Sequence, residues 1–212
     1  MKRVLSVNVG TPKQVPSGKA SVLTSIFKSP VEGRADIRRH NVAGDRQSDL
    51  TVHGGPNKAV YCYPIEHYPY WQEQLPEMDF SPGMFGENLT TEGITEEAVF
   101  IGDQFRVGSA LLQVTQPRMP CFKLGIRFGR ADMVKRFWQS GRSGIYFSVV
   151  EEGDVAAGDA IEKAAQGPEE ISVADVVRLY RGDETDAELL GRALRAPLSG
   201  SWKQELRERS SS

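Results

Sequence analysis

Cysteine is scarce in this 212-residue chain, with only Cys62 and Cys121. Two thiols cannot build a disulfide framework, and without a CxxC pair they do not make a zinc site. An iron–sulfur cluster takes about four thiolates, so a built-in electron relay of that kind is excluded too. The histidines, His40, His53 and His67, have no metal-ligand spacing. No apolar run approaches the roughly 20 residues that span a bilayer. The first residues, Met1 to Asn8, carry charge but no apolar core, so they read as an opening strand and not as a signal peptide. Few cysteines and no export signal point to a reducing cytoplasm. A net charge of −2 gives no global pull toward nucleic acid or a membrane. There is no GxSxG for a serine hydrolase. Gly10 and Gly18-Lys19 look like a P-loop, but seven residues separate the glycines where four are needed.

What the chain does have is 39% hydrophobic and 25% charged residues, the balance of a soluble globule. Strand signals dominate up to about residue 165. Candidate strands cover 4–9, 22–27, 59–63 and 145–150, rich in β-branched and aromatic residues. The clearest hairpin pairs 104–107 with 110–114 through Gly108-Ser109, which places glycine first as a type II′ turn requires. Helices interrupt this pattern. One covers 65–75, broken or shifted by Pro69; another covers 132–139, with Met133, Val134, Phe137 and Trp138 on one face as core packing. Gly-Asp turns at 102–103 and 158–159 echo one another but are too short to be a repeat.

Composition changes after Gly167-Pro168. Three short helical patterns follow, opened by Ser172, Asp186 and Ser199 or Ser201. The boundaries are therefore residues 1–166 for a strand-rich domain and 168–212 for a three-helix domain. The latter has too small a core to stand alone, and packs on the first domain or on a partner. The strand-rich part lacks a βα rhythm and is expected to be a mostly antiparallel, closed or nearly closed barrel with helical insertions.

The strongest chemical constellation is Gln116-Pro117-Arg118-Met119-Pro120-Cys121-Phe122-Lys123-Leu124. Two prolines fix the backbone around Arg118-Met119. Cys121 falls near the start of a short helix over 121–128, beside Arg and Lys, a setting that favours the thiolate. Between Arg118 and Arg142 there are seven cations against the single acid Asp132, a local balance of +6. Arginine clusters suit phosphate. The competing readings are a small buried thiol and, for Lys135 and Arg136 especially, a solvated helix face. Cys62, in Val60-Tyr61-Cys62-Tyr63, reads as inert core. A second constellation is His53-Gly54-Gly55-Pro56-Asn57-Lys58: the glycines let backbone amides approach a ligand, although the same residues also make an ordinary turn. A third, Gly83 to Thr90, offers Asn88 as donor and acceptor for a heterocycle edge.

Together Val52 to Ala59, Phe85-Gly86-Glu87-Asn88-Leu89, Gln116 to Cys121 and Gly158-Asp159, in that order, resemble the MOSC family, the domain shared with the C-terminus of molybdenum cofactor sulfurase, in its stand-alone bacterial YiiM type. The resemblance covers nearly the whole chain, helical tail included. It implies a MOSC-type β-barrel, a pterin-bound molybdenum cofactor (molybdopterin), and Cys121 as catalytic residue and ligand to molybdenum. A soft thiolate suits a metal already held by dithiolene sulfur. It further implies reduction of N-hydroxylated bases of the hydroxylaminopurine kind to amines, a detoxifying activity. The cofactor's phosphate accounts for Arg118, Lys123, Arg127 and Arg142; Gly54 and Gly55, flanked by His53 and Lys58, would admit pterin or phosphate, and Asn88 would bind a pterin edge. With no cluster cysteines the chain needs an external flavoprotein electron donor.

Two rival readings remain. Cys121 would serve equally well as a persulfide or cofactor-carrying thiol in a sulfur- or cofactor-transfer module. Paired with His53 it would make a cofactor-free cysteine hydrolase. Stable nucleic-acid binding is not expected, for want of an aromatic platform. No membrane partner is expected, and a homodimer is compatible with the sequence.

Overall fold

The structure, a computed structural model, describes residues 1–18, 20–46 and 55–210. The expectations for His53 and Gly54 fall outside the described residues. In chain order the strands are β1 (Arg3–Val9), β2 (Lys13–Ser17), β3 (Ala20–Thr24), β4 (Ser29–Pro30), β5 (Ala35–Arg38), β6 (Asn41–Val42), β7 (Val60–Pro64), β8 (Leu89–Glu92), β9 (Gln104–Val107), β10 (Ala110–Pro117), β11 (Ile145–Glu151), β12 (Gly153–Val155) and β13 (Ile161–Ala165). The helices are α1 (Tyr68–Gln74), α2 (Phe122–Phe128), α3 (Met133–Ser140), α4 (Val173–Arg181), α5 (Ala187–Arg195) and α6 (Gly200–Ser210). Among the described residues no helix is long and apolar enough to cross a membrane.

The main sheet has the order β13-β9-β10-β11-β7-β8-β1-β4. Its pairs are antiparallel except β7 with β8. That parallel pair is joined through α1, the crossover that parallel neighbours require. The continuous ladder stays open. Its ends are drawn together by one isolated bridge, Arg3 to Ala160, with the Ile161 amide donating to Lys2 O at 2.9 Å and Val4 to Asp159 O at 2.9 Å. The mostly antiparallel, sheet-rich fold expected from the sequence is therefore present, curled to near-closure through a bridge and not a full barrel ladder.

Local expectations were met where the chemistry was strong. The Gly108-Ser109 hairpin pairs Ala110 with Val107, and Gly108 has φ +58° while Ser109 does not adopt positive φ. Pro69 shifts the helix: a 3₁₀ turn, Ile65–His67, precedes α1, with the proline in the first turn where a missing N–H costs nothing. One strand was misplaced. The 22–27 segment stays extended only to Thr24, whose hydroxyl accepts from the Ile26 amide. It pairs with β2, a strand whose polar residues gave no alternation to read. Residues 25–28 leave the sheet and become part of a cleft wall.

Two apolar clusters hold the fold. One fills the inside of the curled sheet and continues without a break into the tail through Val173, Val176, Ala193, Leu198, Trp202 and Leu206. The three tail helices thus pack on the sheet domain, as their small core required. Ser172 and Asp175 form a capping box on α4, and Asp186 caps α5. The second cluster is aromatic, built around Tyr63, Trp71, Phe85 and Phe137. It sits under α1, α2 and α3, and anchors the turn that carries Cys121.

Candidate functional site

The site begins where β10 ends. Pro117 pairs with Ile145 at the last rung, the chain then leaves the sheet, and Pro120 delivers Cys121 to the N-cap of α2 in an extended conformation. Leu124 and Phe128 plug the aromatic cluster below, so the helix start is fixed from beneath. Cys121 is half-buried, whereas Cys62 is fully buried in β7 and burial pushes its thiol well above the usual range.

Cys121 forms part of the wall of a cleft of about 580 Å³, open to solvent. Four cations line it: Lys28, Lys58, Arg118 and Lys123. One carboxylate faces them, Asp45. Arg118 is 7% exposed; it donates to Phe85 O and lies 4.7 Å from the Tyr61 ring. Burial opposes its charge, but the neighbouring Tyr61 and Tyr146 phenols and Cys121 leave its pKa raised, so it stays a guanidinium. Burial lowers the pKa of Lys58. It also lowers that of Lys28, against the pull of Asp45.

Asp45 organises this cleft. Its Oδ1 accepts from the Gly10 amide at 2.8 Å, and its Oδ2 accepts from Lys28 Nζ at 2.5 Å and Asn88 Nδ2 at 3.0 Å. Three chain segments distant in sequence are tied at one buried carboxylate. Gly86 adopts φ +78°, and a Cβ there would come within 2.9 Å of the Ile26 side chain. Only glycine lets the 83–88 loop close against the 25–28 loop. The cleft also holds a polar atom without a partner, the buried Ser25 Oγ.

The structure brings Arg118, Cys121, Lys58, Lys123 and Asn88 to one cleft. Asn88 differs in what it offers. Its Oδ1 accepts from the Tyr61 amide and its Nδ2 donates to Asp45 and Asn8 O, so its amide braces the cleft floor. Arg142 is not brought in; its guanidinium lies 3.8 Å from the Tyr70 ring and donates to Ser140 O. Arg127 lies 5.1 Å from the Phe27 ring, its Nε buried without a partner, behind the cleft wall. Gly55, at φ +100°, precedes the 3₁₀ turn that presents Lys58. Sequence reasoning missed Ser25, Lys28, Asp45, Tyr61 and Tyr146. A lone acid after Ala43-Gly44 and a lone lysine before Ser29-Pro30 carry no motif, and only tertiary closure joins them.

A second cleft, of about 780 Å³, shares the same thiol in its wall. Lys58, Cys121 and Tyr146 belong to both walls. Its far wall comes from α6 through Ser201, Trp202 and Glu205. Among the described residues no group of three His, Cys, Asp or Glu side chains is placed to hold a metal ion.

Comparison with known proteins places these features. The MOSC domain model matches residues 49–162, and the YiiM-like, 3-alpha helix domain model matches residues 171–211. The chain is 44% identical to Uncharacterized protein YflK of Bacillus subtilis, over 94% of this chain and 90% of that one. It superposes on the crystal structure of YiiM from Geobacillus stearothermophilus with a TM-score of 0.82 at 33% identity, covering 99% of this chain and 100% of the other. It is 33% identical to a protein named Reductase from Gibberella moniliformis, over 97% of this chain but 37% of that longer protein.

Proposed function

We propose, since the chain belongs to the MOSC domain family and carries its YiiM-like three-helix domain, that it is a molybdenum-cofactor-dependent oxidoreductase reducing N-hydroxylated bases to amines. The observation that carries this reading is the cationic cleft walled by Cys121. Its residues fit the group. A pterin cofactor carries phosphate, and the cleft presents Lys58, Arg118 and Lys123, together with the buried, partnerless Ser25 Oγ, to such an anion. A thiolate is the soft ligand suited to molybdenum, and dithiolene sulfur would complete a set for which the described residues offer no cluster of three His, Cys, Asp or Glu.

When bound, the cofactor would pass on two electrons that, with two protons from solvent, break the N–O bond to give the amine and water. The chain's own residues supply position and charge. Arg118 holds a fixed positive charge, because Phe85 O and the Tyr61 ring leave its guanidinium one orientation. The Lys28–Asp45 pair keeps the 25–28 segment against the floor, beside the wall that Lys58, Arg118 and Lys123 line. The buried phenols of Tyr61 and Tyr146 stay protonated, since burial raises both. Tyr61 donates to Ser143 O at 2.8 Å and so stays out of proton transfer. Electrons come from a separate flavoprotein. The match to only 37% of the fungal Reductase suits a unit that works beside another component.

The test is molybdenum content per chain, on protein made in a host that synthesises the cofactor, followed by assay with an artificial electron donor. Bound molybdenum and turnover of an N-hydroxylated purine are expected, both lost in Cys121→Ser. Protein that holds the metal, reduces no N-hydroxylated base and behaves alike with and without the thiol rules the activity out. A persulfide on Cys121 with no retained molybdenum would favour the transfer module instead.

A further inference from the structure

Cys121, Lys58 and Tyr146 face two clefts, and these differ in chemistry. The first is cationic. The second has a single cation, the shared Lys58, and a carboxylate, Glu205, on the exposed face of α6. Met119, Pro120 and the edge of the largely buried Trp202 line it with apolar surface. Its wall also includes Gln116, which is 2% exposed and whose Oε1 has no hydrogen-bond partner. A buried acceptor without a donor is costly, and protein interiors rarely leave one so.

We infer that the second cleft is the substrate pocket, that it takes a flat heteroaromatic base carrying an exocyclic amino or hydroxylamino group, and that Gln116 and Glu205 accept the base's N–H groups. The inference rests on the reading of the first cleft as the cofactor site. It assigns a role to the three-helix domain: α6 supplies one wall of the substrate pocket, with Trp202 held in place by Tyr180 at 5.1 Å between ring centroids. Gln116 Oε1, which has no partner, and the Glu205 carboxylate are acceptors, so they favour a ligand that brings N–H donors. A hydroxyl or amine on a ring fits it; a phosphate anion does not, because Glu205 repels it. Cofactor and base would then approach the shared thiol wall each from the cleft whose charge suits it.

The experiment measures binding of adenine, and of purine lacking the exocyclic amine, to the full-length protein with and without molybdenum cofactor. Tryptophan fluorescence reports occupancy beside Trp202, and steady-state KM and kcat for the N-hydroxylated base are measured in parallel. Gln116→Leu should weaken adenine about tenfold or more and raise KM by a similar factor, with kcat and molybdenum content near the parent's. It should also erase the preference for adenine over purine, which a packing defect would not do selectively. Glu205→Gln, on an exposed helix face, keeps the fold and should weaken adenine about threefold. Adenine binding and KM unchanged in both variants overturn the inference, even in a protein that reduces the base. So does an absence of adenine binding to the parent, loaded or unloaded. Gln116-dependent adenine binding in a protein that holds no molybdenum would sink the cofactor assignment and leave the base pocket standing.

Discussion

The two clefts that meet at Cys121 are built from different parts of the chain and carry different charge. The first is assembled by loops of the sheet domain, tied at Asp45, and presents four cations against one carboxylate. The second is closed by α6 of the tail and has one cation and one carboxylate. The difference teaches that the tail supplies part of a wall beside Cys121 and is not only a cap on the core. A single thiol between unlike compartments can hold one ligand and face another.

The largest effect should come from the shared wall. Cys121→Ser is expected to cost on the order of 100-fold or more in turnover, since even outer-sphere partners of a metal cost about 10–100-fold. Its thermal midpoint should stay close to the parent's, because the side chain is half-buried at a helix cap. Cys62→Ser should show the reverse: a hydroxyl placed in an apolar strand costs about 1–3 kcal/mol of stability, while the folded fraction keeps its rate. If both substitutions act alike, the two thiols are not functionally distinct and the comparison of clefts loses its centre.

Next in size is Asp45→Asn. It leaves Lys28 buried opposite a neutral amide, and breaking a buried ion pair costs about 3–5 kcal/mol. Denaturant unfolding should show that loss. Adenine binding in the second cleft should survive it at temperatures where the chain remains folded, because Asp45 touches none of the walls there. Equal damage to both clefts would show that they are mechanically one.

Arg118→Gln tests the anion side. Hydrogen bonds to a charged group are worth about 1.5–3 kcal/mol, so the variant should retain molybdenum cofactor about 10- to 100-fold more weakly. Adenine affinity should stay near the parent's. The opposite pattern would exchange the roles of the two clefts.

These contrasts also mark what the sequence made legible. Cys121, Arg118 and Lys123 stood in one continuous stretch with prolines and excess charge, so local chemistry identified them. The sheet-rich domain and capped tail helices were readable for the same reason, since period, turn residues and caps are local. Arg142 belonged to that basic window too, yet it turned to the Tyr70 ring, because charge density along a chain does not fix side-chain direction. Asn88 reached the cleft but spent its amide on Asp45, Asn8 and Tyr61. Asp45 and Lys28, the pair that ties the floor, carry no signature at all. Their role exists only once three distant segments meet.

The smallest expected effect concerns Lys58, the one cation both clefts share, and it separates them by pH. Burial lowers the Lys58 pKa from its ordinary 10.5. An amine loses its charge as pH rises through its pKa, so Lys58 turns neutral at a lower pH than an exposed lysine. Retention of a phosphate-bearing cofactor should therefore weaken modestly, about fivefold, as alkaline pH passes through that lowered value. Lys58→Arg should remove the decline, because a guanidinium stays charged throughout. Adenine is neutral over the mildly alkaline range and takes its contacts from acceptors, so its binding to the second cleft should be flat across the same pH window. A matched decline for both ligands would mean that the Lys58 charge serves the base as much as the phosphate, and that the division of labour across the thiol wall is less sharp than the lining residues make it.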